Sequence, residues 1–74
     1  MIKIPEKLRA LRKEKKVTQQ GMADYLGIKL RSYQYYEQDY ENGGHRPDYE
    51  TLVALADYFG VTTDYLLGRS DERA

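Results

Sequence analysis

Residues 18–37, TQQGMADYLGIKLRSYQYYE, decide the fold. Thr18 offers a side-chain oxygen to the free N–H groups that open a helix, so a helix is predicted over Gln19–Leu26. Met22, Ala23 and Leu26 fall on its inner side at helical spacing. Gly27 supplies the left-handed conformation that ends it. Ile28 then plugs the turn, and another helix follows over about 30–37 with Tyr33 and Tyr36 inward. Two helices that cross steeply through so short a turn must approach closely at one point, and the small Ala23 allows it. The outer side of the later helix is left free.

Working outward, a first helix is predicted over 5–15. Pro5 suits an initial helical position, and Ile4, Leu8 and Leu11 share one face. Residues 42–47, NGGHRP, carry every turn signal. Asp48 caps a fourth helix whose Leu52, Leu55, Ala56 and Phe59 recur at i, i+3, i+4 and i+7, and Gly60 stops it. Thr62 caps a short last helix, Thr63–Leu67, ended by Gly68. Nothing alternates with period two, so no strand is expected. The expectation is an all-α, five-helix domain over 1–68 with a flexible C-terminal tail over 69–74.

Seventy-four residues allow one domain with one modest core. The chain has no cysteine, which rules out a disulfide framework or a thiolate metal site and fits a reducing cytoplasm. No apolar run nears the roughly 20 residues of a membrane span, and no signal-peptide core is present. Nothing marks an enzyme: there is no Gly-rich phosphate loop and no nucleophile with a base partner. The single histidine, His45, has no neighbours at metal-ligand spacing, so neither metal nor cofactor is expected.

Net charge is zero, yet it is unevenly spread. Residues 1–33 carry nine basic side chains against three acidic ones, a surplus of six positive charges, and residues 34–74 carry the mirror-image deficit. A polarised domain can attract phosphates with one surface. Ordinary solvation of helix surfaces accounts for such blocks equally well.

A free outer helix face backed by Ile28, Tyr33 and Tyr36 has the dimensions to enter a DNA major groove about 12 Å wide. On chemistry alone, Arg31 can fork onto guanine O6 and N7, and Gln34 can pair with adenine N6 and N7. Leu30 suits a thymine methyl, and Tyr35 offers a ring to a methyl or a hydroxyl to phosphate. Lys15, Lys16 and Arg46 are candidate phosphate contacts, which give affinity more than sequence information.

Three segments, KLRALRKEKKVTQQGMADYLGI at 7–28, RSYQYYE at 31–37 and RPDYETLVALADYFGVTTDYLLG at 46–68, resemble the Cro/CI/Xre-type phage-repressor helix-turn-helix proteins. The resemblance spans about residues 5–68. It implies a lambda-repressor-like five-helix domain that dimerises on a palindromic double-stranded DNA operator. It also implies a phosphate contact by Gln19, base reading by Lys29, Leu30, Arg31, Ser32, Gln34 and Tyr35, and a structural ion pair between Arg12 and Glu37.

The pattern departs from that family at three places. Lys29 stands where a serine or threonine usually caps the third helix, and lysine cannot accept backbone N–H bonds. Gly21 stands where a helix former is usual, at a propensity cost of about 1 kcal/mol relative to alanine. Four extra residues separate Glu37 from Pro47. The preferred expectation is a third helix one turn longer, with Tyr40 and Glu41 repeating the positions of Tyr36 and Glu37. An enlarged loop is the competitor.

A rival function is a protein adapter or antitoxin on the same scaffold. Tyr65, Leu66 and Leu67 on the last helix are candidates for a homodimer face or a protein-partner site.

Overall fold

The computed structural model describes residues 3–74, so the first two residues of the expected 1–68 domain lie outside the described residues. Five α-helices follow one another: α1 (Ile4–Lys15), α2 (Gln19–Leu26), α3 (Leu30–Tyr36), α4 (Tyr49–Phe59) and α5 (Thr63–Leu67). No strand occurs among the described residues. Among the described residues, no helix is long and apolar enough to cross a membrane.

Helix starts obey the capping chemistry of the sequence. The side chains of Thr18, Asp48 and Thr62 accept from the backbone N–H groups of Gly21, Thr51 and Tyr65. The Thr51 bond to Asp48 favours its ionised form and holds its carboxyl below the usual aspartate range. Gly27 ends α2 with φ 69°, and Ile28 sends its N–H back to the carbonyl of Ala23. A Cβ on Gly21 would meet Val17 Cγ1 at 3.1 Å and Thr18 Oγ1 at 3.3 Å, so glycine relieves crowding at this cap.

Every helix contributes to one core. Ile4, Leu8 and Leu11 of α1 meet Met22 and Ala23 of α2, Tyr33 of α3, Leu55 and Ala56 of α4, and Leu66 of α5. Leu26, Ile28, Tyr36, Leu52 and Phe59 pack around it, half-buried.

The third helix is not extended. It ends at Tyr36, Glu37 forms its C-cap, and Tyr40–Asn42 make a separate 3₁₀ turn. The added residues enlarge the loop, so Tyr40 and Glu41 do not repeat the Tyr36 and Glu37 positions. The cause lies in where the carbonyls of α3 bond. A continued helix would give the Glu37 carbonyl to the N–H of Glu41. Instead the Arg9 guanidinium takes it from α1 and also reaches Asp39 at 3.4 Å. The Tyr35 carbonyl accepts from the N–H of His45 at 2.9 Å, which folds the loop back onto α3. Gly44 permits that approach, because a Cβ there would sit 1.8 Å from the Gln38 carbonyl oxygen.

Residues 69–74, expected as a flexible tail, make defined contacts with the domain. The Thr62 N–H donates to the Arg73 carbonyl at 2.9 Å, and the Arg73 guanidinium forks onto Glu14 at 2.7 and 2.9 Å. That fork holds the Glu14 carboxyl below the usual glutamate range.

Helix α1 closes on Lys16, whose φ of 59° makes it the one left-handed non-glycine residue among the described residues. Such a conformation costs an L-residue about 1–2 kcal/mol, part of which glycine loses to its greater unfolded entropy. Lys16→Gly is therefore expected to stabilise the fold by about 0.5–1 kcal/mol, read as a Tm rise of a few degrees. A fall in Tm would show that the lysine side chain makes a stabilising contact which outweighs its backbone strain.

Candidate nucleic-acid interface

Helix α3 carries no acidic residue, and its outward side chains are Arg31 and Gln34, with Lys29 just before its start. All three are exposed. Leu30, Ser32 and Tyr35 are half-buried along the margins of the same face. Lys29 makes no side-chain capping bond. Tyr33, on the opposite side, is fully buried and anchors the helix.

Beneath this face lies a polar cluster centred on Glu37, which is only 4% exposed. Its carboxylate accepts from Arg12 Nε at 2.6 Å, Arg12 Nη2 at 3.2 Å, the Tyr33 hydroxyl at 2.5 Å and Gln19 Nε2 at 3.2 Å. A buried carboxylate persists only with this kind of saturation. The Glu37 hydrogen bond raises the Arg12 pKa, so the guanidinium stays charged. Burial first, and then the carboxylate beside it, push the Tyr33 phenol far above its usual value and keep its proton in place. Arg12 also donates to the Val17 carbonyl at 3.1 Å, tying the α1–α2 connection to the same cluster.

The cluster reaches the surface through glutamines. Gln34 Nε2 donates to Gln19 Oε1 at 3.3 Å, so Gln19 bridges the exposed Gln34 and the buried Glu37. A second chain steadies Arg31. Its Nε donates to the Tyr35 hydroxyl at 3.1 Å, and the Tyr35 ring stacks on the His45 ring with centroids 4.3 Å apart and planes 23° apart. This uses one of the five guanidinium N–H donors and leaves the four on Nη1 and Nη2.

The remaining expected phosphate contacts are dispersed. Lys16 is exposed. Lys15 turns to α4, donating to the Tyr58 carbonyl at 2.9 Å with its ammonium 4.8 Å from the Tyr58 ring centroid. Arg46 lies over the Tyr40 ring at 4.4 Å.

The expected dimer face on α5 needs correction. Leu66 is fully buried in the core, and Tyr65 and Leu67 are half-buried against it. The Tyr65 ring is further covered by the ammonium of Lys7 at 4.3 Å. In a five-residue helix, spacing alone does not say which of three adjacent apolar residues turns inward. Among the described residues, the large apolar side chains that do face solvent are Tyr25, 50% exposed, and Tyr49, 81% exposed.

Sequence reasoning missed Arg9 as the residue that stops α3, the Tyr33 hydroxyl as a ligand of Glu37, and His45 as a stacking partner of Tyr35. Each is a contact between separate elements or across the enlarged loop, except Tyr33–Glu37. That pair, four apart on one helix, was readable from spacing.

Comparison with known proteins identifies the family. The helix-turn-helix family matches residues 8–66. The chain is 46% identical over 69 residues to the uncharacterized HTH-type transcriptional regulator YqaE of Bacillus subtilis, covering 92% of this chain and 56% of that protein. It is 43% identical over 68 residues to the cryptic phage CTXphi transcriptional repressor RstR of Vibrio cholerae, covering 92% and 57%. The chain thus spans little more than half the length of these curated relatives. A transcriptional regulator from Listeria innocua, known from its crystal structure, superposes with a TM-score of 0.82 at 32% identity over 97% of this chain and 64% of that one. With its family match, its five helices and its buried Arg12–Glu37 pair, this chain belongs to the helix-turn-helix family, of the Cro/CI/Xre type.

Proposed function

We propose that this chain is the DNA-binding part of a transcriptional repressor that binds a palindromic double-stranded operator as a homodimer. One observation carries the reading: the outward face of α3 holds Lys29, Arg31 and Gln34 in solvent, with no acidic group on the helix, over a buried and fully paired Glu37. A short helix held this way can enter the major groove without repelling phosphates. Lys29, Leu30, Arg31, Ser32, Gln34 and Tyr35 then read base edges. Gln19, Lys16 and Arg46 meet phosphate, with Lys15 joining them if it leaves Tyr58. The relatives' names, which include a phage transcriptional repressor, support regulation in the repressing sense.

The test is a titration against random-sequence duplex at rising salt. Binding should weaken linearly in log Kobs against log[salt], with a slope of about −0.9 for each phosphate neutralised. Affinity that is absent at low salt would overturn DNA binding. It would favour the second reading, a protein-directed adapter or antitoxin, for which the exposed Tyr25 and Tyr49 are the supporting observation.

A further inference from the structure

We propose that Glu37, acting through Gln19, fixes the amide of Gln34 so that its carbonyl oxygen faces the groove and selects a base that presents its exocyclic amine in the major groove, adenine or cytosine. The inference rests on the DNA-reading role of α3. Neither residue need touch a base; both are positioning residues for Gln34.

A glutamine amide is ambiguous as a reading group. Turned one way it presents an acceptor to the amine of adenine or cytosine; turned the other it presents donors to the acceptors of guanine or thymine. A free Gln34 samples both. The direction is decided here by a group that has only one role.

An ionised carboxylate accepts and never donates. Both oxygens of the Glu37 carboxylate already act as acceptors, Oε2 for Arg12 Nε at 2.6 Å and the Tyr33 hydroxyl, and Oε1 for Arg12 Nη2 at 3.2 Å. Gln19 must therefore turn its NH₂ toward Glu37 Oε1, as it does at 3.2 Å. That leaves Gln19 Oε1 pointing outward as an acceptor. Gln34 in turn must give its NH₂ to Gln19, as it does at 3.3 Å. What Gln34 then has left is its Oε1, with no protein donor among the described residues, and one remaining N–H. An outward acceptor beside a single donor fits adenine N6 and N7 best, cytosine N4 by the acceptor alone, and guanine or thymine poorly. The polarity of the buried ion pair is thus passed through two amides to the surface.

Gln19 is the first residue of α2 and Gln34 the fifth of α3, so their meeting needs the steep crossing of these two helices. Replacing either by a residue lacking an amide breaks the relay without touching the Arg12–Glu37 bonds.

The experiment uses the full chain and duplexes first selected from a random library, followed by affinity measurements on every single-base variant of the best half-site. Gln34→Ala identifies the base pair read by Gln34 as the one whose preference disappears. For the unmodified protein, adenine at that position should be preferred over guanine by about tenfold or more. Gln19→Leu, which keeps volume and leaves the ion pair, should lower affinity for all sequences. It should also shrink that one preference to about threefold or less, while discrimination elsewhere stays unchanged. A thermal melt confirms that both variants are folded.

Undiminished preference in folded Gln19→Leu overturns the relay while leaving DNA reading intact. So does a Gln34→Ala protein that loses no base preference, because Gln34 then reads nothing. A parent chain that binds no duplex removes the DNA-reading role itself, and the relay with it.

Discussion

Glu37→Ala is expected to cost about 3–5 kcal/mol of folding stability, the range for removing one partner from a buried ion pair. A domain of this length has roughly 4–11 kcal/mol in total at about 0.05–0.15 kcal/mol per residue. The variant should be largely unfolded at modest urea concentration. The size follows from what is stranded. The Arg12 side chain, 15% exposed, loses its counter-charge, and the fully buried Tyr33 hydroxyl loses its acceptor. Gln19 loses its inner partner as well. Removing both charges is expected to be milder. Arg12→Leu with Glu37→Leu leaves no uncompensated ion, so the double variant should recover part of the loss despite carrying more changes. Equilibrium urea unfolding of the three proteins decides this. A loss below about 1 kcal/mol in Glu37→Ala would mean that the cluster is no more than a solvent-screened surface pair.

The same residues show how much of this molecule could be read in advance. Thr18, Asp48 and Thr62 announce three helix starts because capping is a local exchange between one side chain and an N–H three residues on. Leu8 and Leu11 announce a buried face because helical period is local too. The end of α3 is not local. Its tyrosine-rich sequence continues without a helix breaker through Tyr40, and periodicity alone carries the helix onward. What stops it is Arg9, 28 positions earlier in the chain, arriving at the Glu37 carbonyl. Likewise Arg73 reaches Glu14 across 59 positions, so a polar stretch that looks like a loose end is tied down. Chain-distant hydrogen bonds leave no period and no cap motif.

The candidate interface divides along the same line. That Arg31 and Gln34 face outward follows from Tyr33 and Tyr36 facing inward, a matter of spacing. That Arg31 is braced by Tyr35 and His45 does not, because it depends on how the loop folds back. Leu66 failed as a surface residue for a related reason: α5 is too short for its pattern to define a face, and packing against the other helices decides.

Arg31→Ala should produce the largest change in recognition. Arg31 is exposed, and its partners within the chain are the Tyr35 hydroxyl and ring, so folding stability should stay within about 0.5 kcal/mol of the parent. Its Nη1 and Nη2 groups keep the planar fork that matches guanine O6 and N7, worth about 1–3 kcal/mol of discrimination per contact. On the proposed palindrome each dimer makes the contact twice, with reading helices about 34 Å apart. The loss on the best operator should then be about 2–6 kcal/mol, or roughly 30-fold to 10⁴-fold, concentrated at one base pair in each half-site. Arg31→Lys separates charge from shape. It keeps the attraction for phosphate but lacks the fork, so it should retain the salt slope of the parent while losing most of the guanine preference. The opposite pattern is equally informative. If Arg31→Ala weakens every sequence by the same factor and lowers the salt slope by about 2 per dimer, Arg31 holds phosphate and base selection rests on its neighbours along α3.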